Sequence, residues 1–112
     1  TMRTIVSEII RPKILRNTND EVPHGAAIEI IRHKEPRGRG GITSIEANIY
    51  CEKATHKGIL IGKNGEKLKQ IGSAARRDIE RIVGGQVNLK LWVKVKDDWR
   101  NSPGMLKELG FQ

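Results

Sequence analysis

Cysteine is almost absent. Cys51 is the only one in 112 residues, so no internal disulfide framework holds the chain together. His24, His33 and His56 are too scattered to complete a structural zinc cluster with it. Aromatic residues are equally scarce: Tyr50, Trp92, Trp99 and Phe111 make up 4% of the chain. Without paired aromatics on one strand there is no base-stacking platform of the RRM kind. No stretch approaches the ~18 consecutive apolar residues of a membrane-spanning helix, and no secretory leader pattern precedes the domain. The expected setting is reducing and cytoplasmic.

What remains is one domain's worth of material, 112 residues with a 37% hydrophobic share, enough for a single modest core. The charge is large and uneven. The chain carries 21 basic against 13 acidic side chains, a formal +8, and its isoelectric point is about 10.0. Residues 53–96 hold eleven of the basic residues and three of the acidic ones, and the rest of the chain is balanced at ten of each. Positive charge gathered in one well-patterned stretch is the footprint of a nucleic-acid or anionic-surface binder. The bland alternative is a solvated basic face with no partner.

The patterning predicts an α+β domain, a layer of helices on a three-stranded mixed sheet. Residues 5–16 place Ile5, Ile9, Ile10 and Leu15 at roughly helical spacing and end in the polar cluster Asn17-Thr18-Asn19-Asp20. Pro12 inside that run predicts either a kink or a shorter helix with Pro12 in its first turn. An isoleucine-rich strand over 26–32 and an alternating, half-buried strand over 42–52 follow, joined through Glu35-Pro36-Arg37-Gly38-Arg39-Gly40-Gly41. Cys51 falls on the apolar side of the second strand and reads as a small buried side chain rather than a reactive thiol. After a short apolar segment, residues 66–83 take the helical period, with Leu68, Ile71, Ala75, Ile79 and Ile82 on one face and a Gly84-Gly85 stop. Val87 to Val95 alternate as a third strand, and Trp92 on its polar side could stack on a base but is expected rather to pack against a terminal helix. That helix is bracketed by Ser102, Pro103 and Gly110.

The chemistry lies in Lys57-Gly58-Ile59-Leu60-Ile61-Gly62-Lys63-Asn64-Gly65-Glu66-Lys67-Leu68. A phosphate loop of the nucleotidase kind needs four residues between its glycines and a Ser or Thr after the lysine, to reach a magnesium ion. Gly58 and Gly62 are one residue too close, and Asn64 stands in place of the hydroxyl. No catalytic constellation, metal site or cofactor is expected. Gly62-Lys63-Asn64-Gly65 instead matches the Gly-x-x-Gly clamp of a KH module, which grips a single-stranded RNA backbone. Two glycines permit a sharp turn and a close approach of the phosphates. The tip residues Lys63 and Asn64 then meet those phosphates, and the following helix start favours the same anionic backbone. Ile61, Leu68 and Ile71, with Ile49 from the strand, are expected to floor an aliphatic base groove.

The resemblance goes further. Lys57 to Gly65, continued by Leu68-Lys69-Gln70-Ile71-Gly72, by Ala75-Arg76-Arg77-Asp78-Ile79-Glu80, and by Leu91-Trp92-Val93-Lys94-Val95-Lys96-Asp97-Asp98-Trp99-Arg100, closely resembles the C-terminal KH domain of the bacterial ribosome-assembly GTPases of the Era family. It extends upstream through Glu8-Ile9-Ile10-Arg11 and Val22-Pro23-His24, and downstream to Leu109-Gly110-Phe111. Pro12 departs from the family's helix-forming residue and Ala54 from its usual polar one. The resemblance implies a type II KH fold with one parallel strand pair, in a single domain over residues 1–112 that excludes the GTPase part. It also implies a ligand, the single-stranded 3′ end of small-subunit (16S) ribosomal RNA, and with it the small ribosomal subunit. Gly62, Lys63, Asn64 and Gly65 would clamp that RNA. Lys57, with Gly58 beside it, Lys67 and Arg76 would add phosphate contacts, and Ile61, Leu68 and Ile71 would line the base groove. The chain is expected to be a monomer. Two alternatives stay open: a KH domain of another ribosome-associated protein, and a basic arm that touches protein or the inner membrane face without reading RNA.

Overall fold

The computed structural model describes residues 1–18, 27–38 and 40–96. Helix α1 (Met2–Asn17) leads to strands β1 (Ala27–Lys34) and β2 (Thr43–Cys51). Helix α2 (Ala54–Ile61), a 3₁₀ turn (Lys63–Gly65) and helix α3 (Glu66–Val83) then carry the chain to strand β3 (Val87–Val95). The expected terminal helix falls outside the described residues.

Helix α1 starts where Thr1 accepts the Thr4 N–H at 3.3 Å, an ordinary N-cap. It ends where the Thr18 hydroxyl donates to the Ile14 carbonyl at 2.8 Å. Pro12 lies in the interior of this sixteen-residue helix, not in the first turn of a shorter one. It sits on the solvent side, so its ring displaces no core packing. The buried stripe is Val6, Ile10 and Ile14. Ile5, expected to face inward, is exposed, because the i, i+4, i+8 row one residue along is the one that meets the sheet and α3.

The sheet order is β1-β2-β3. β1 and β2 are antiparallel, and β2 and β3 are parallel with Ala47 opposite Leu91 and Ile49 opposite Val93. A bulge between Ile30 and Arg32 turns Ile31 out to solvent. The core joins Val6, Ile10 and Ile14 of α1 to Ile71, Ala75 and Ile79 of α3, over Ile28, Ile45, Ile49 and Val93 of the sheet. Each fully buried isoleucine contributes roughly 1.5–3 kcal/mol. Lys13 donates to Asp78 and ties α1 to α3, which makes a rigid two-helix layer on one face.

Two expectations change here. β2 is the central strand, and on its polar side Ser44 and Glu46 are half-buried as expected while Asn48 and Tyr50 are buried. There Asn48 Nδ2 donates to the Tyr50 hydroxyl at 3.2 Å, and that hydroxyl donates to Glu29 at 2.7 Å. At the far end of α3, Ile82 is exposed rather than core, and its neighbour Val83 is the one that packs against the core, before Gly84 caps the helix with φ 77°.

Candidate nucleic-acid interface

The short apolar segment before the clamp is a helix, α2, eight residues long with Leu60 as its buried anchor. Sequence periodicity misses it because two turns with one core residue and an internal Gly58 give too little signal. The Gly62 N–H closes α2 on the Gly58 carbonyl at 2.9 Å, and the Gly65 N–H bonds the Gly62 carbonyl at 3.2 Å. Between them the chain reverses tightly, with Gly62, Asn64 and Gly65 all at positive φ.

Gly62 has φ 73°, and a Cβ placed there would lie 2.5 Å from the Lys67 Cβ and 3.0 Å from the Lys67 backbone nitrogen. No side chain fits, so glycine is required for conformation and for space. Gly65 has φ 76° with nothing within 4 Å of the place a Cβ would take, so only conformation demands it. Asn64, at φ 57°, is the one non-glycine residue with positive φ among the described residues. Asparagine tolerates that region better than most, and its side chain is exposed at the tip beside Lys63. Gly65 gives α3 no side-chain cap. The N–H groups of the first turn therefore face the loop without a capping carboxylate or hydroxyl from Gly65, as an anion site at a helix N-terminus requires.

From this loop an open cleft of about 360 Å³ runs between α3 and β3, lined by Gly65, Leu68, Gly72, Arg76, Leu89 and Leu91 among others. Leu68 is half-buried in its wall, as expected. Ile61 is half-buried against the core at the α2 end. Ile71 and Ile49, by contrast, are fully buried at 0% exposure, beneath the cleft rather than on its surface. The helix turn that brings Leu68 to the wall rotates Ile71 into the core, so the groove expectation at these two positions is corrected. The leucines of β3 take their place. Leu89 and Leu91 stand out in the sequence as the apolar side of the strand, but only the parallel β2–β3 pairing shows that this side faces the clamp. Gly72 gives no such signal: a Cβ there would touch the Leu91 methyl at 3.6 Å, so its absence keeps the floor of the cleft open.

Of the basic side chains, Lys69 and Arg76 line the cleft itself. Lys63 and Lys69 are exposed, and Lys57 and Lys67 are partly buried along their stems, an arrangement that leaves ammonium heads in water. Arg76 pairs with Glu80 at 3.5 Å, and the same Glu80 carboxylate accepts the Val87 N–H at 2.9 Å. This bond fastens the end of α3 to the root of β3 and sets the angle between the two cleft walls. Burial pushes the Cys51 thiol up, with Lys57 pulling weakly the other way, as the inert buried side chain read from the sequence requires. The hydrogen bond from Lys13 holds the Asp78 carboxyl below its ordinary value, with Arg81 and Arg16 adding to it. Among the described residues no group of three or more His, Cys, Asp or Glu side chains is placed to hold a metal ion. No helix among them is long and apolar enough to cross a membrane.

The KH domain family model matches residues 21–100. GTPase Era of Ruminiclostridium cellulolyticum is 54% identical over 110 residues, which is 98% of this chain and 36% of that protein. GTPase Era of Alkaliphilus oremlandii is 56% identical over 109 residues, 97% of this chain and 37% of its own length. The chain thus spans little more than a third of these relatives. Among solved structures, an Aquifex aeolicus Era variant bound to GDP·AlF4− superposes with a TM-score of 0.90 at 37% identity, covering 99% of this chain and 37% of that one. Era in complex with MgGDPNP and nucleotides 1506–1542 of 16S ribosomal RNA superposes with a TM-score of 0.91, at the same identity and coverage. With the family model matching residues 21–100 and the mixed three-stranded sheet in place, the chain belongs to the KH domain family.

Proposed function

We propose that residues 1–112 act as one RNA-binding domain that grips single-stranded RNA through the Gly62–Gly65 clamp and the α3–β3 cleft. The single observation that carries this reading is the loop itself, stripped of a Cβ at its tightest point and opening directly into an aliphatic cleft. Phosphates sit against Lys63, Asn64 and the uncapped start of α3, while Lys57, Lys67, Lys69 and Arg76 supply charge. Bases unstack against Leu68, Leu89 and Leu91. Among the described residues β3 pairs only with β2, so its outer edge offers backbone donors and acceptors to base edges.

The proposed target is the 3′ end of small-subunit ribosomal RNA, supported by the likeness to the Era structure solved with a 16S fragment. Nucleotide hydrolysis is assigned to the part of an Era-like parent that lies outside these residues. About four neutralised phosphates give a slope of log K against log [salt] near −3 for a single strand. The test titrates labelled RNA of the 3′-end sequence and a scrambled strand into the protein and a Lys63→Asp/Asn64→Asp variant, with circular dichroism to verify the fold. Selective binding lost in a folded variant supports the clamp, and equal binding by both proteins rejects it. Sedimentation with anionic liposomes tests the membrane-arm alternative, which requires lipid binding without RNA selectivity.

A further inference from the structure

β3 has two sides, and the cleft uses one of them. Leu89 and Leu91 point into the cleft, so the alternation of the strand sends Lys90, Trp92 and Lys94 to the other face of the sheet. All three are exposed, and Trp92 has 51% of its surface open. An indole half open to water on a strand is unusual, since tryptophan is among the more heavily buried residue types. The ring is also held: its N–H donates to Glu46 of β2 at 3.3 Å, and Glu46 in turn lies 4.0 Å from Arg32 of β1. Trp92 is therefore anchored at its polar end while about half of its surface is open. Lys90 and Lys94 flank it two residues either way, and Lys96 continues the row. On the same face Glu46 and Glu29 are already engaged, by Trp92 and by Tyr50.

We infer that Trp92, with Lys90 and Lys94, is a second stacking site for the same single-stranded RNA, reached by nucleotides that leave the cleft over the outer edge of β3. The inference rests on the cleft reading proposed above and extends it. The clamp of a KH module grips about four backbone nucleotides, so a longer strand must run beyond it. Among the described residues β3 is an edge strand, and crossing that edge carries a strand from Leu91 on one face to Trp92 on the other within a single residue. An aromatic face between two lysines is the combination that holds single strands without base selectivity, by stacking plus phosphate neutralisation.

The test compares strands of about five and about twelve nucleotides that share the same clamp-binding sequence, each titrated into the native protein and three kinds of variant. The native protein binds the longer strand more tightly. Trp92→Ala lowers affinity for the longer strand by about tenfold and leaves the five-nucleotide strand unchanged, while Trp92→Phe retains most of the gain. Lys90→Gln/Lys94→Gln, at exposed positions that do not burden the fold, lowers the salt slope of the longer strand by about 1.4 and not that of the shorter one. Equal losses on both strands, or none on either, overturn the inference. A short strand that needs Lys63 and Asn64 while the longer strand ignores Trp92 overturns this extension alone. Indifference of both strands to the Lys63→Asp/Asn64→Asp variant removes the cleft reading and the extension together.

Discussion

Two glycines at positive φ stand on either side of helix α3, Gly62 in the clamp before it and Gly84 at its C-cap, and they answer to different demands. At the C-terminal end Gly84 has φ 77° and nothing within 4 Å of the Cβ position, so it serves the backbone alone. In the clamp, Gly62 has nearly the same φ, but its missing Cβ is the space that Lys67 occupies, whereas Gly65 at the start of α3 is as open as Gly84. The same residue type is a matter of stability at Gly84 and of shape at Gly62. Conformational strain can be absorbed locally as lost free energy. A steric collision with backbone cannot, and it is relieved only by opening the loop.

Substitution should separate the two. Gly62→Ala must displace the start of α3, and we expect RNA affinity to fall more than about a hundredfold in titration, with a loss of about 1–3 kcal/mol of stability in denaturant unfolding. Gly84→Ala should cost a similar strain, about 1–2 kcal/mol, and leave RNA affinity within about twofold. Loss of binding in the Gly84 variant would break the distinction. Gly72 sharpens it from the opposite direction. Alanine there removes a helix-interior glycine and should stabilise the protein by about 0.5–1 kcal/mol, while its methyl group at the cleft floor lowers RNA affinity several-fold.

The smallest effect concerns the α1–α3 layer, away from the RNA. The folded-state pKa of Asp78 is depressed by Lys13, so its contribution is complete above the unfolded value and is lost as pH falls through the lower folded one. Stability measured by unfolding at successive pH values should decline more steeply below about pH 4 in the native protein than in Asp78→Asn, with no difference near neutrality in the slope against pH.

Much of this is legible in the sequence because it follows from local rules. The strict alternation of Val87 to Val95, the apolar row Ile71, Ala75 and Ile79, and the glycine-bounded clamp each state their element directly. What escapes depends on neighbours distant in sequence. Whether Ile71 or Leu91 floors the cleft is decided by the rotation of α3 over a parallel strand pair. The burial of Asn48 and Tyr50 follows from β2 being central, which no window of β2 itself reveals. The inward row of α1 is displaced by one residue from the expected one because Ile5, Val6, Ile9 and Ile10 offer two apolar faces, and only the sheet chooses between them. Propensity alone disfavours Pro12 inside a helix, and its exposed position in a tertiary-packed helix outweighs that local penalty.

The parallel pairing of β2 with β3 carries one more consequence, for the order of events in folding. Two parallel strands cannot be joined by a tight turn, and here the crossover between Cys51 and Val87 consists of α2, the clamp and α3. The antiparallel β1–β2 hairpin can close early, since its partners are near in sequence. β3 docks only after the whole crossover has been laid across the sheet, a non-local step of the kind that slows folding. One wall of the cleft belongs to the crossover and the other to the strand that docks last. On the proposed function, a partly folded chain would present its lysines to RNA without a groove to put it in, and selectivity would arrive with the completed sheet.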